Sequence, residues 1–277
     1  MPAVSRGGLR LSAEEAERYA LDGFLIRERV FAEQELASLR LAAERAAEVA
    51  WRLSGAGRPY TLDGKRFVDA GHVTVQFEHA SGSETIRVVE PVVELDPDLS
   101  ALVDDARICE PMRDLVGSEE IALWTDKLNL KRPREGSGFG WHQDSPYWIH
   151  DCRHVDRLPN VMVTLDDASE ANGCFRVVRG SHKRGCLPGR ADGSQLGGFY
   201  TDPDAFDARD QVPMVVAAGS LVFFSPHAVH GSFPNRSASP RRALVLTYQP
   251  AGHPMLKSGL VRNVTGECAG DRYPSRV

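Results

Sequence analysis

The sequence contains no apolar run that approaches the roughly 20 residues needed to span a bilayer, and its N-terminal residues lack the apolar core of a signal peptide. Its five cysteines are scattered and form no Cys-x-x-Cys pair, which argues against a disulfide scaffold and a structural zinc site. Basic residues are not in excess either: 33 lysines and arginines stand against 38 acidic residues, for a net charge of −5. We therefore expect a cytoplasmic protein that binds neither nucleic acid nor membranes.

Glycine and proline are scarce at the start of the chain. Residues 9–54 hold one glycine and no proline, whereas residues 139–277 hold 25 of the 42 in the chain. The early segment favours helices: Ser12 with Glu15 has the pattern of a capping box, and a second helix is predicted over about residues 32–53. The later segment is typical of a turn-rich β structure.

Short strand patterns separated by Gly, Pro, Asn or Asp run from about Ile121 to Tyr248, without a βαβ alternation. They predict a β-sandwich or jelly roll. Residues 58–97 read as irregular, with strand candidates only at 73–77 and 85–92, and residues 180–213 read as a long polar loop. We expect one domain over residues 1–277. Its predicted parts are a helical N-terminal buttress with substrate-entry segments (1–118), a jelly-roll core (119–250) and a C-terminal extension (251–277).

The segment Trp141-His142-Gln143-Asp144 carries the most informative chemistry. Residues i and i+2 of a strand face the same side, so His142 and Asp144 can present an imidazole and a carboxylate to one point. Alone this pair is weak evidence, because His-x-Asp occurs by chance in many chains and is more often a surface pair.

A third metal ligand is offered by His227 or His230, which follow a predicted strand. Residues three apart in an extended chain face opposite sides, so only one of the two is expected to bind metal, and His227 is more typical of a loop or supporting histidine. Two histidines and one carboxylate form the facial triad of non-haem Fe(II) oxygenases, with zinc as the main competitor.

An anion anchor for such a site is offered by Arg241, which lies eleven residues after His230. An arginine gives a carboxylate a fixed, bidentate partner, and Ser232 can add a hydroxyl donor. Since Arg241 and Arg242 are adjacent in a predicted strand, at most one of them points into a cavity.

These motifs and their order resemble the phytanoyl-CoA dioxygenase family, whose members are Fe(II)- and 2-oxoglutarate-dependent oxygenases. The resemblance covers roughly residues 120–250. It is carried, in chain order, by His142-Gln143-Asp144, Asn172-Gly173-Cys174, Gly180-Ser181-His182-Lys183, His230-Gly231-Ser232, Asn235 and Arg241.

The resemblance implies a mainly β fold with flanking helices, in which a double-stranded β-helix (jelly roll, cupin-like) core is buttressed by N-terminal helices. It implies His142, Asp144 and His230 as the ligands of Fe(II), which decides against His227. It also implies 2-oxoglutarate as co-substrate, held by Arg241 and Ser232, and O2 as the oxidant.

Further residues are candidates for the pocket, and the resemblance implies Asn129, Lys127 and Trp148 among them. Asn129 and Lys127, on the strand before the His-x-Asp pair, are candidates for binding the co-substrate, and Met162 is a candidate for closing that pocket, although ordinary core packing explains Met162 equally well. Candidate substrate contacts are Trp148, Gln143 and Arg87; Arg87 is expected to face the pocket because Ile86 and Val88 would face the other way.

The predicted function is hydroxylation of an unactivated C–H bond of a small molecule, with succinate and CO2 as co-products. Desaturation, cyclisation or epimerisation on the same scaffold is the first alternative, because the ligand set does not distinguish among them. A non-catalytic, cupin-like metal- or ligand-binding protein is the second. The motifs specify neither the substrate nor the choice between monomer and homodimer.

Overall fold

The computed structural model describes residues 8–265. Cys268, the end of the predicted extension 251–277 and the first seven residues lie outside the described residues. Within them the helices are α1 (Ala13–Asp22), α2 (Glu33–Ser54), α3 (Pro97–Leu102), α4 (Ala106–Val116) and α5 (Ser145–Trp148). The strands are β1 (Phe24–Arg27), β2 (Arg58–Leu62), β3 (Lys65–Ala70), β4 (Val73–Phe77), β5 (Ile86–Glu90), β6 (Ile121–Lys131), β7 (Phe139–His142), β8 (Asn160–Thr164), β9 (Phe175–Val178), β10 (Gln211–Pro213), β11 (Leu221–Phe224), β12 (His230–Ser232) and β13 (Arg241–Pro250).

The strands form two antiparallel sheets. The major sheet has the order β1-β11-β8-β13-β6-β5-β4-β3-β2, and the minor sheet has the order β10-β9-β12-β7. In the minor sheet and in the β1-β11-β8-β13-β6 part of the major sheet, neighbours are far apart in the chain, as in a jelly roll, whereas β2 to β6 are neighbours in chain order. The predicted mainly β fold with flanking helices is confirmed.

Hydrophobic side chains form a separate core on each face of the major sheet. On the outer face α2, α3 and α4 pack against the sheet, and α2 contributes one continuous stripe that includes Leu36, Leu39 and four fully buried alanines. On the inner face a smaller core, with Met162, Phe175 and Phe224, lies between the two sheets. The helices therefore cover the outer face of the major sheet, while its inner face is available for a site.

The predicted helical start is confirmed in detail. Ser12 Oγ accepts from the backbone N–H of Glu15, and the Glu15 carboxylate accepts from the backbone N–H of Ser12. Helix α1 ends at Gly23, whose φ of 85° lies in the left-handed region. None of the helices in residues 8–265 is long and apolar enough to cross a membrane.

Residues 58–97 are more regular than the sequence predicted: the strand candidates at 73–77 and 85–92 are confirmed as β4 and β5, whereas β2 and β3 were missed. This segment forms β2, β3, β4 and β5, which extend the major sheet at one edge. The overlooked signal is Asp63-Gly64, where both residues have positive φ (48° and 73°), as a two-residue hairpin turn requires. The N-terminal third is thus more than a helical buttress, because it supplies four strands. The polar segment 180–213 contains short 3-10 turns and ends in β10.

Candidate metal centre

The pairing of two strands in the minor sheet brings two histidines together. His142 ends β7 and His230 begins β12, and the two residues lie opposite each other in the antiparallel register. Asp144 follows β7 directly, where its backbone N–H donates to the carbonyl of Pro226. Strand pairing therefore brings together His142 and His230, which are 88 positions apart in the chain.

The three side chains form one compact cluster. One nitrogen from each of His142 and His230 and one oxygen of Asp144 lie within 4.8 Å of one another. The two imidazole centroids are 4.1 Å apart, and His230 Nε2 lies 3.8 Å from Asp144 Oδ2. Two nitrogens and one carboxylate on one side of a point leave the other side open, which is the donor set of a facial triad.

Backbone carbonyls fix the orientation of both imidazoles. Nδ1 of His142 donates to the Gly140 carbonyl at 2.7 Å, and Nδ1 of His230 donates to the Ala228 carbonyl at 2.9 Å. Each Nε2 is therefore the unprotonated nitrogen, free to bind a metal. Burial lowers the pKa of both histidines, that of His142 to about 3 with His230 contributing, so both rings are neutral at pH 7.

The carboxylate of Asp144 is held in place and ionised by its neighbours. Burial opposes its ionisation, but the charge of Lys127, whose Nζ lies 3.7 Å from Oδ1, holds its pKa below the usual value. The side-chain amide of Asn160 donates to Oδ2 at 3.0 Å. Sequence reasoning missed Asn160, and no local pattern marks it, since it lies on β8 of the opposite sheet.

An inner cavity of about 80 Å³ lies between the two sheets beside the cluster. Arg241 and Ser232 line it, and the sequence candidates Asn129, Lys127 and Met162 line it as well. Arg241 Nε and Ser232 Oγ are buried, and neither has a hydrogen-bond partner within residues 8–265. Burial lowers the pKa of Arg241 to about 10, so the guanidinium remains charged at neutral pH.

The neighbouring Arg242 points to the other side of the sheet. Its guanidinium forms ion pairs with Asp166, at 2.7 Å, and Glu44, at 3.0 Å. Only Arg241 of the adjacent pair therefore faces the cavity, as the alternation of a strand requires.

A larger outer cavity, of about 300 Å³, adjoins the inner one. Lys127, Asn129, Phe139, His142 and Asp144 line both cavities. The two spaces therefore meet at the metal-ligand cluster. Two of the candidate substrate residues, Trp148 and Arg87, line the outer cavity.

Arg87 reaches the outer cavity for a different reason from the one that alternation suggested. Val88, which was expected to face away, lines the cavity too. The register between β4 and β5 shifts, so that Ile86 is opposite Phe77, Val88 is opposite Gln76, and Arg87 is the extra residue of a bulge. A bulge of this kind re-aims a side chain and is not visible in the sequence pattern.

The expectation that Gln143 contacts substrate was wrong. Its side chain is fully buried and does not line either cavity. The amide donates to the carbonyls of Gly185 and His227 and accepts from the backbone N–H of Leu187 at 2.7 Å. Because Gln143 lies between His142 and Asp144 in an extended segment, it faces away from them, and it fastens the 180–213 segment to the core.

His227 lies apart from the cluster. Its Nδ1 is 2.9 Å from Ser145 Oγ, and its Nε2 is 2.8 Å from a carboxylate oxygen of Asp156. Both ring nitrogens are thus already engaged by protein groups.

Gly140 allows an aromatic side chain of the outer cavity to pack closely against β7. A Cβ at this position would lie 2.8 Å from ring carbons of Tyr200, so only glycine permits this close approach. The Tyr200 hydroxyl in turn accepts from Lys65 Nζ at 2.6 Å. Tyr200 and Lys65 were not predicted from the sequence, because they come from segments read as a polar loop and as irregular structure.

A jelly roll that gathers two histidines and one carboxylate beside an inward-facing arginine is typical of non-haem iron(II) oxygenases. Comparison with known proteins supports this class. The family model for phytanoyl-CoA dioxygenase matches residues 19–243.

Two relatives and one solved structure illustrate the likeness. The ectoine dioxygenase of Bordetella parapertussis is 29% identical over 254 residues, covering 86% of this chain and 75% of the relative. The probable alpha-ketoglutarate-dependent hypophosphite dioxygenase of Stutzerimonas stutzeri is 30% identical over 69% of this chain and 68% of its own length. The crystal structure of SnoK, a non-haem alpha-ketoglutarate-dependent carbocyclase from nogalamycin biosynthesis, superposes with a TM-score of 0.65 at 21% identity, covering 92% of this chain and 97% of SnoK.

The chain belongs to the phytanoyl-CoA dioxygenase family. It is a non-haem iron enzyme that depends on 2-oxoglutarate and O2.

Proposed function

We propose that the enzyme hydroxylates a C–H bond of a small molecule bound in the outer cavity, with Fe(II) held by His142, Asp144 and His230. The observation that carries the proposal is that His142 and Asp144 line both the inner and the outer cavity, while His230 lines the inner one. One space can then hold the co-substrate and the other the substrate, with the reacting bond next to the metal.

The residues present suit iron(II). Both imidazoles are neutral and oriented by backbone carbonyls, and the carboxylate is ionised and hydrogen-bonded, which is the state that metal binding requires. Three protein ligands on one side leave positions for a bidentate co-substrate and for O2.

The inner cavity suits 2-oxoglutarate. Arg241 Nε and Ser232 Oγ are buried donors without partners in the described chain, and such groups are costly unless a ligand satisfies them. A carboxylate placed between them accepts from both, so we assign the far carboxylate of 2-oxoglutarate to Arg241 and Ser232. Asn129 and Lys127, at the junction of the cavities, would hold its metal-proximal end, and Met162 would cover its carbon chain.

The iron and 2-oxoglutarate supply the oxidation of the C–H bond by O2, with succinate and CO2 as co-products, a chemistry that no side chain performs. The protein's own residues bind and orient the reactants. His142, Asp144 and His230 fix the position of the metal, Asn160 and Lys127 fix the carboxylate, and the aromatic walls of the outer cavity exclude water.

Cyclisation is the second candidate function, because the carbocyclase SnoK shares this fold over nearly its whole length. The test is to supply the iron-loaded enzyme with 2-oxoglutarate, O2 and candidate small molecules, and to measure succinate together with product mass. Hydroxylation predicts a gain of about 16 mass units, whereas desaturation or ring closure predicts a loss of about 2. If the iron-loaded protein binds 2-oxoglutarate but forms no succinate with any candidate, the result argues against catalysis and for a protein that only binds its ligands.

We further propose that residues 1–277 act as one oxygenase domain in the cytoplasm. The continuity of the major sheet, which includes strands from residues 24 to 250, supports one domain. Cys109, Cys152, Cys174 and Cys186 are free thiols, which fits a reducing compartment.

A further inference from the structure

The outer cavity contains a buried cation, Arg87, that pairs directly with no carboxylate of the described residues, although the buried Glu78 acts on it from a longer distance. Arg87 is 7% exposed, and within residues 8–265 its guanidinium forms no salt bridge. Nη2 donates to the Gly138 carbonyl at 2.6 Å, but Nε is buried and unpaired. The guanidinium carbon lies 3.7 Å from the centre of the Phe139 ring, which fixes its plane. Burial lowers the pKa of Arg87 to about 10, so it remains charged at neutral pH.

A second cation lines the same cavity. Lys65 Nζ donates to the hydroxyl of Tyr200 at 2.6 Å and lies 4.9 Å from the centre of the same ring. Lys65, Arg87, Tyr147 and Tyr200 all line the cavity, and Tyr147 and Tyr200 are near enough to Arg87 to affect its pKa. The group combines two cations with two phenol hydroxyls, which can donate to the same anion.

Positive charge prevails in the cavity as a whole. Lys127 and Lys257 line it as well, and apart from the metal-ligand candidate Asp144 its one acidic lining residue is Glu90. Lys127 is engaged with Asp144, and Lys257 Nζ donates to Thr74 Oγ1 at 2.7 Å. Among the described residues Arg87, Lys65 and Lys257 form no salt bridge with a carboxylate, and of the three only Arg87 is buried; the carboxylate of Glu78 acts on Arg87 from beyond 4 Å.

We infer that Arg87, assisted by Lys65, binds a carboxylate, phosphonate or phosphate group of the primary substrate. The inference rests on the proposed function, because it assigns the substrate to the outer cavity. An unpaired charge out of water is costly, and an anion of the substrate removes that cost while making charge-assisted hydrogen bonds to Nε and Nη. The anion is then fixed in the same cavity that His142 and Asp144 line, so that a carbon a few bonds away can reach the metal.

The test measures binding of acids and their uncharged counterparts by calorimetry. The full chain is loaded with Fe(II) and saturated with 2-oxoglutarate without O2, so that Arg241 is already occupied and turnover is prevented. The probes are cyclohexanecarboxylate with its amide, benzoate with benzamide, and benzylphosphonate with its dimethyl ester. We expect at least one acid to bind and its neutral counterpart to bind at least tenfold more weakly. Comparing benzylphosphonate with the two carboxylates shows whether the site prefers a phosphonate or a carboxylate.

Arg87→Met should weaken binding of the acid about 10- to 100-fold and leave the neutral probe's affinity unchanged. Arg66→Met is the matched control, because Arg66 lies on the next strand but one, stacks on Phe77 with a separation of 4.0 Å, and is exposed outside the cavity. Arg87→Gln, which can keep a bond to Gly138, replaces the methionine variant if that variant fails to fold.

The inference is overturned if no acid binds, if neutral probes bind as well as acids, or if Arg66→Met weakens binding as much as Arg87→Met. Binding of 2-oxoglutarate to the iron-loaded protein is measured first. Failure of that step counts against the proposed function, whereas normal 2-oxoglutarate binding without any preference for acids counts against the role of Arg87 alone.

Discussion

The side-chain amide of Asn160 donates a 3.0 Å hydrogen bond to Oδ2 of Asp144, and both groups are buried. Asn160 belongs to the major sheet and Asp144 follows a strand of the minor sheet, so this bond links the two sheets at the cluster. Thr247 Oγ1 donates to Asn160 Oδ1 at 2.6 Å, which determines which end of the amide faces the carboxylate. Asn160 thus orients a proposed ligand without binding the metal itself.

Replacing Asn160 with alanine should therefore weaken Fe(II) binding by about 10- to 100-fold, because the carboxylate loses its orientation while all three ligands remain. Metal titration of the apoprotein measures this effect. Asn172→Ala is a matched control: Asn172 is also buried and hydrogen-bonded, but to the Asp167 carbonyl away from the cluster. Equal metal affinities of Asn160→Ala and the wild type would refute the positioning role.

The adjacent arginines of β13 allow a second comparison. Arg241→Met should raise the Kd for 2-oxoglutarate about 10- to 100-fold, because a buried charge-assisted contact is lost. Arg242→Met should leave that Kd unchanged and should instead lower the free energy of unfolding, since Arg242 pairs with Asp166 and Glu44 behind the sheet. Calorimetric titration of 2-oxoglutarate into each iron-loaded variant separates the two roles, and an equal loss of affinity in both would contradict the assignment.

Lys131 predicts a pH-dependent stability. Burial, together with the nearby Arg241 and Arg87, lowers its pKa to about 6. The unfolded chain keeps a proton on this residue up to about pH 10, so between these values unfolding takes up a proton. The contribution of Lys131 to the free energy of unfolding therefore rises with pH, by at most about 1.4 kcal/mol per pH unit.

Lys131→Met removes this contribution. The free energy of unfolding of the variant minus that of the wild type should decrease from about pH 7 to about pH 9, as urea denaturation can show. The exposed Lys183→Met should give a difference that does not vary with pH. A flat difference for Lys131→Met would mean that Lys131 stays protonated in the folded chain.

The contact between Gly140 and Tyr200 is testable by a double-mutant cycle. Gly140→Ala should cost about 1–3 kcal/mol of unfolding free energy, because its Cβ overlaps the tyrosine ring. In a Tyr200→Ala background the same change should cost less than about 0.5 kcal/mol, since the overlap is gone. Equal costs in the two backgrounds would show that the ring does not cover Gly140 in solution.

The fold class and the central motifs could be predicted from the sequence because they rest on local patterns. The period of two residues and the turn residues after Ile121 indicate strands, and the capping residues Ser12 and Glu15 mark a helix start. The placing of Arg241 and Arg242 on opposite sides of β13 follows from the same period.

What the sequence did not reveal depends on how distant segments pack. The hairpin at Asp63-Gly64 was overlooked although its turn signal is local. The bulge at Arg87 cannot be read from alternation, and the bond of Asn160 to Asp144 exists only once two sheets face each other. Gln143 was wrongly assigned to the substrate because both of its neighbours in the sequence are metal-ligand candidates. Its own side chain faces the opposite side of the segment.

The most direct test of the proposed metal centre compares the wild type with Asp144→Ala for bound Fe(II) and for succinate formed from 2-oxoglutarate, with Asp98→Ala, a half-buried acid of helix α3, as control. Thermal unfolding of each apoprotein establishes that the variants are folded. We expect wild type and Asp98→Ala to bind one Fe(II) per chain, whereas Asp144→Ala should bind Fe(II) and form succinate at least about 100-fold less well. An Asp144→Ala variant that retains iron and forms succinate at the wild-type rate would contradict the assignment of Asp144 as a ligand.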